Sequence, residues 1–181
     1  MPAFPPLTDA DWPEALADLK GGFATKLNVY RVMAHRPELL RAWAPLRDHV
    51  VVQTALGPEL SEVAILRTGH HMGSGYEWDS HVHRARKLGM SDARIASIRG
   101  PLEAMAPEDA VIAGAVDAHL GPDHRLTLDQ VAEVVALVGQ EGLFDLFATV
   151  GFYTVLAGML KSLDVPLDAD IAAELAQTPA P

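Results

Sequence analysis

Apolar residues in this chain recur at three- and four-residue spacing between Gly-Pro breaks, and nowhere alternate for long with polar ones. A helix repeats every ~3.6 residues and a strand every ~2, so this pattern builds helical faces and gives strands nothing to bury. From Pro37 to Leu56 the residues Leu39, Leu40, Trp43, Leu46, Val50 and Val51 follow the helical period. Gly57-Pro58 closes that segment and opens the next, and Gly100-Pro101 and Gly121-Pro122 break the chain again further on. The fold class is therefore all-α.

Local signals place the helices. Residues 1–12 are Pro-rich and polar and predict an irregular arm, after which Asp11 is placed to cap a short helix ending near Gly21-Gly22. A second helix is expected from Ala24 to His35, stopping before Pro37. Pro45 lies inside the third and predicts a kink or break there. In the helix from Glu59 to Met72, Leu60, Val63, Ala64, Ile65 and Leu66 form a wide apolar face, and Glu62 shares a stripe with it. An inward carboxylate must find a partner or take up a proton; the alternative is a boundary position paired with a surface arginine.

Ser74 opens the next helix and Glu77 follows three residues on, the pattern of a capping box. That helix runs through His81, Ala85 and Leu88 to Gly89, with Arg84, Arg86 and Lys87 suited to the dipole at its end. Ser91-Asp92 caps a short helix to about Arg99, Glu108 to Leu120 forms another, and a capping box at Thr127–Gln130 starts one through Val138. The last long helix spans Gly142 to Ser162, and 164–181 is a short helix with a loose tail.

Composition narrows the function. The net charge of −10 opposes nucleic acid, whose affinity for proteins comes mainly from Lys and Arg. The N-terminus lacks the basic and apolar regions of a secretory signal. The longest apolar candidate, Leu143 to Leu160, carries Asp145, Thr149, Tyr153 and Thr154 and reads as a buried helix rather than a membrane span. The expectation is a soluble cytoplasmic protein. There is no cysteine, which removes disulfides, thiolate metal sites and thiol redox chemistry from this chain.

The stretch from Glu59 to Gly89 gathers His70, His71, Glu77, His81 and His83 around Gly73-Ser74-Gly75, beside Tyr76 and Trp78. Glu77 and His81 stand four apart on one helix face, where an imidazole and a carboxylate can share a proton or act on opposite sides of a small substrate. The histidine cluster raises a metal reading through His70, His71 and His81, but the spacing matches no compact ligand motif, and adjacent helical residues point about 100° apart. No metal is assigned. Ser74 lacks the G-x-S-x-G setting of a nucleophile and reads as a cap. Tyr76 and Trp78 suit either a pocket wall or packing. His49, His83, His119 and His124 read as solvent-facing or structural.

The runs E-V-A-I-L-R (62–67), G-S-G-Y-E-W-x-x-H-V (73–82), A-R-K-L-G-M-S-D (85–92) and the segment from Val150 to Pro166 resemble the carboxymuconolactone decarboxylase and alkyl hydroperoxidase D superfamily. The resemblance covers about residues 24–165, leaving 1–23 as an arm with a short helix and 166–181 as a tail. The peroxidase branch carries Cys-x-x-Cys-x-x-x-His with an upstream Glu in a proton relay. Here Ser74 and Glu77 stand at the two cysteine positions, His81 at the histidine and Glu62 at the upstream glutamate, so thiol peroxidase activity is not carried over.

The resemblance implies a helical bundle with a motif helix hairpin, assembled as a dimer, trimer or trimer of dimers. It also implies a cofactor-independent lyase or isomerase acting on a small cyclic carboxylic acid, lactone or related carbonyl compound. Glu77 and His81 would be the acid–base pair, with Glu62 in support. Tyr76, Ser74, His71 and Tyr153 are candidate substrate contacts, Tyr153 because its region often faces the site in similar proteins. The alternatives are a catalytically silent oligomeric scaffold and a metal-dependent enzyme using the histidine cluster.

Overall fold

Helix α3 (Pro58–His71) is buried on all sides from Ser61 to Gly69, and the remaining helices pack around it. The computed structural model describes residues 4–181. Among these are α1 (Asn28–Met33), α2 (Pro37–Asp48), α3, α4 (Gly75–Lys87), α5 (Asp92–Ser97), α6 (Pro107–Leu120), α7 (Leu128–Ser162) and α8 (Ala169–Gln177), with no strand. Helices α4, α6 and α7 make the main contacts with α3. Val63, Ala64 and Leu66 of α3 join a core with α4, α5, α6 and the first part of α7. Ile65 faces a second core built from the N-terminal segment, α1, α2 and the rest of α7. Glu62 lies between two apolar cores as a consequence.

The helix starts follow the sequence where a side chain can reach the first turn. Ser74, Ser91 and Thr127 each accept a hydrogen bond from the N–H three residues on, and Gln130 Oε1 in turn accepts from the Thr127 N–H. Glu77 does not return one to Ser74. Its side chain turns inward instead, so the box at the start of α4 is only half made.

Three expectations for the N-terminal third are corrected. Asp11 caps no helix: it accepts from Thr8 Oγ1 at 2.6 Å, and Glu14–Leu19 is a 3-10 segment without a side-chain cap. The helix expected over 24–35 is divided into a 3-10 turn, Phe23–Thr25, and α1. Leu27 between them is extended, and α1 begins where Asn28 N–H donates to Asp168 Oδ1 at 2.7 Å. A remote carboxylate thus sets this helix start. At Pro45, α2 does not break but continues into a π-helical turn, His49–Gln53. Pro45 and Arg41 lie on the exposed face, so the carbonyl left without an N–H partner is open to water.

The irregular path over residues 4–12 agrees with the expected arm; residues 1–3 lie outside the described residues. Helix α7 bends at Gly139, whose φ of 76° favours glycine, between the expected end at Val138 and start at Gly142. This helix is long and apolar enough to cross a membrane, yet 56% of its most apolar window is buried inside the fold. It is a core helix here.

Candidate active site

The α3–α4 hairpin turns at Gly73, φ 59°, and its arms approach closely because Gly69 has no side chain. A Cβ at position 69 would meet Glu77 Cβ at 3.2 Å. This approach brings Glu62 of α3 against His81 of α4: His81 Nδ1–H donates to Glu62 Oε2 at 2.6 Å. Arg84, one turn beyond His81, lies with Nε 3.1 Å from Glu62 Oε1. Glu77, one turn before it, lies with Oε2 3.6 Å from His81 Nε2, beyond hydrogen-bond reach. Glu62, Glu77 and His81 are 1%, 3% and 5% exposed, so their charges are governed by one another rather than by water.

The two carboxyl groups are driven in opposite directions. Burial raises Glu62, but His81 and Arg84 outweigh it and hold Glu62 below its ordinary range, as a carboxylate. Burial, reinforced by the charge of Glu62, pushes Glu77 up to about 8, so it is a neutral acid at pH 7. For His81 burial disfavours the imidazolium and prevails over the pull of Glu62, leaving a neutral ring below its ordinary value. With Nδ1–H given to Glu62, the lone pair is on Nε2, on the side of Glu77. Tyr153 stands edge-on to His81, ring centroids 5.0 Å apart, and burial keeps its phenol protonated.

Glu77, His81 and Tyr153 line a chamber of about 250 Å³. Tyr30, Arg47 and Val51 form one wall, Tyr76, Ser80, His83 and Arg84 of α4 another, and Asp170 and Ile171 of α8 complete it. Four buried polar atoms on this lining, Arg47 Nε, Glu77 Oε1, Ser80 Oγ and His83 Nδ1, have no hydrogen-bond partner. His83 Nδ1 is 2.8 Å from Glu174 Oε2, but off the line of a hydrogen bond. Buried polar groups are seldom left unpaired, and four around one cavity mark a place for a polar ligand. A second cavity, of about 320 Å³, lies beyond the Glu62–Arg84 pair and is lined by both residues.

The expected substrate contacts divide. Tyr153 and Tyr76 reach the chamber, but the Tyr76 hydroxyl donates to Asp168 and accepts from Val29 N–H at 3.4 Å, so it presents mainly its ring. Ser74 and His71 do not line it. Ser74 accepts from Glu77 N–H and borders a separate cleft with Gly69, His70, Trp78 and Arg99. His71 Nε2 lies 2.7 Å from Asp117, which also takes both ends of the Arg67 guanidinium and ties α3 to α6. Trp78 is packing, with Arg99 3.6 Å over its ring. His70 lies against Trp78, so His70, His71 and His81 do not gather. No group of three or more His, Asp or Glu among the described residues is arranged to hold a metal.

Arg84, Arg47, Ser80 and His83 were not anticipated as site residues. Position alone suits Arg84 to the helix dipole, but the stripe Glu77, His81, Arg84, at spacings of four and three, is the signal that places it here. Nothing in the sequence singles out Arg47, whose place depends on the packing of α2.

Residues 37–118, which include Glu62, Glu77, His81 and Arg84, match the model of the Carboxymuconolactone decarboxylase family. A comparison with curated proteins finds no match. Among solved structures, the debrominase Bmp8, as a cysteine-to-alanine variant in complex with 2,3,4-tribromopyrrole, superposes with a TM-score of 0.77 at 15% identity, over 97% of this chain and 96% of that one. An alkylhydroperoxidase AhpD core, an uncharacterised peroxidase-related protein from Ralstonia eutropha JMP134, gives 0.74 at 14% identity, over 93% and 94%. A peroxidase-related protein from Silicibacter sp. TM1040 gives 0.73 at 13%, over 93% and 92%. At these identities the likeness is one of fold.

Proposed function

We propose, from the match of residues 37–118 to the Carboxymuconolactone decarboxylase family, the alkylhydroperoxidase D-like fold and the absence of cysteine, that this chain is a member of that superfamily and a cofactor-independent lyase or isomerase working by proton transfer. Its substrate is a small cyclic carboxylic acid, lactone or related carbonyl compound. The observation that carries this reading is the proton inventory: a bare imidazole nitrogen and a neutral carboxylic acid lie side by side on one chamber wall.

In this reaction the substrate lies against both groups. Glu77 donates a hydrogen bond to the carbonyl oxygen while His81 Nε2 takes a proton from the adjacent carbon, whose C–H electron pair enters the enolate. Glu62 stabilises the imidazolium through Nδ1–H, and Arg84 keeps Glu62 ionised. Return of the proton to a different carbon completes an isomerisation. In a decarboxylation, breakage of the C–C bond to the carboxylate forms the same enolate. Glu77 then protonates it on carbon and regains its own proton from solvent.

The open, partly polar chamber favours an enzyme over a silent scaffold, for which a filled helix start would be expected. In Bmp8 the bound tribromopyrrole is a single ring, a size that a chamber of about 250 Å³ admits. Homo-oligomer formation is part of the proposal: Phe144 and Val155 on one face of α7 are 64% and 54% exposed and suit a subunit contact. The test is a panel of lactones and cyclic keto acids incubated in deuterium oxide, with loss of the proton next to the carbonyl followed by NMR. Exchange or turnover that survives unchanged in both Glu77→Gln and His81→Ala would show the assignment to be wrong.

A further inference from the structure

Among the chamber residues that the proton chemistry leaves without a task, Arg47 carries a guanidinium with an unpartnered Nε. Its guanidinium is held at 4.6 Å over the Phe23 ring, and Nη1 donates to Asp48 at 3.0 Å. Nε, shielded from solvent, has no partner. Lys26, Arg47 and Arg84 line the chamber against Asp170 and a neutral Glu77; Arg84 is taken up by Glu62, and Arg47 meets Asp48 through Nη1 alone, which leaves its Nε side free towards the chamber. A guanidinium with a buried unpaired donor suits a carboxylate, which accepts two parallel hydrogen bonds from such a fork.

We propose that Arg47 is the anchor of the chamber, binding a carboxylate of the substrate and setting specificity for an anion over its neutral analogue. Lys26, exposed at the rim, attracts the anion, and Arg47 holds it. The anchored end lies on the α2 wall, and the rest of the molecule extends towards His81 and Glu77 on α4. Arg47 is thus a positioning and specificity residue that takes no part in the proton steps. The proposal rests on the chamber being the substrate site, but not on His81 being the base.

Benzoate and benzamide, of like shape and different charge, are the probes, and binding is measured by calorimetry at pH 7 and low salt. Wild type is expected to bind benzoate at least about tenfold more tightly than benzamide, and Arg47→Met to lose that preference while binding benzamide unchanged. Equal binding of the two probes by wild type, no binding of either, or a preference retained by Arg47→Met would each overturn the proposal. Arg47→Lys serves if the methionine variant does not fold: benzoate binding weakened about threefold or more is expected, and unchanged binding counts against the anchor. Glu77→Gln and His81→Ala are expected to keep the benzoate preference and lose turnover. If they keep both, the proton-transfer reading fails and the anchor stands.

Discussion

His81 Nδ1 lies 2.6 Å from Glu62 Oε2, a pair nineteen positions apart joined across the α3–α4 hairpin. The hydrogen bond places the imidazole proton on Nδ1, towards the Glu62 carboxylate, and leaves Nε2 with a free lone pair on the chamber side. Glu62 in turn is kept ionised by Arg84, so a chain from guanidinium to carboxylate to imidazole to neutral acid runs along the site.

Turnover should follow a bell-shaped pH profile. The acid limb reflects His81 losing its proton, below the ordinary histidine range because burial outweighs the attraction of Glu62. The alkaline limb reflects ionisation of Glu77, near about 8. The dependence of kcat/KM on pH checks both. A rate that keeps rising past pH 9 would show that Glu77 is not the acid.

Folding stability should fall between about pH 4.5 and 8 through Glu77 alone. Its folded value, about 8, lies above its ordinary 4.5, so as pH rises the unfolded chain releases this proton first and is favoured. Below both values the effect is absent, and above both it is complete. Glu77→Gln removes it and should gain on wild type by on the order of 3 kcal/mol between pH 5 and pH 9. Urea denaturation at the two pH values measures the difference, and a gap independent of pH would contradict a neutral Glu77.

Glu62→Gln should lower turnover about 100-fold or more and stability by about 1–3 kcal/mol, less than for a fully buried pair because Arg84 is partly exposed. The tightly held Nδ1 proton of His81 should give a downfield NMR resonance that this variant loses. Persistence of the resonance would assign it, and the tautomer, to another contact.

Ser74→Ala should cost about 1 kcal/mol, the worth of a helix cap, with little change in kcat. Thermal denaturation and steady-state kinetics on one preparation test this together. A fall in kcat of about 100-fold without loss of stability would make Ser74 a reacting group.

Freeing the C-terminal helix should be possible by Asp168→Asn. Asp168 accepts from Asn28 N–H and from the Tyr76 hydroxyl, joining the tail to α1 and α4. Faster amide exchange across Ala169–Gln177, with a loss of about 1–2 kcal/mol, is expected. Unaltered exchange would show that α8 is held by its other contacts.

Local signals made most of the helices legible. Ser74, Ser91 and Thr127 cap them as spacing predicts, because capping involves neighbours in sequence. The stop before α1 was not legible, because its cap comes from Asp168, 140 positions away. At the site, Glu62, Glu77 and His81 could be named from their motif, and the structure brings them together. Ser74 and His71, equally close in sequence, point to a separate cleft and to Asp117. Arg47 and His83 face the chamber only because α2 and α4 pack as they do, a tertiary outcome that no short pattern records.

Gly69 gives a last consequence. It has no functional group and donates no proton, yet any larger residue there would press on Glu77 and require it to give by a few tenths of an ångström. Proton transfer is steeply sensitive to the distance crossed. One methyl group on α3 would therefore act as a shim, detuning the proposed reaction by shifting Glu77 while leaving every reacting group present. Divergence among chains with this hairpin has a route that swaps no catalytic residue: it changes the thickness of the spacer between two helices.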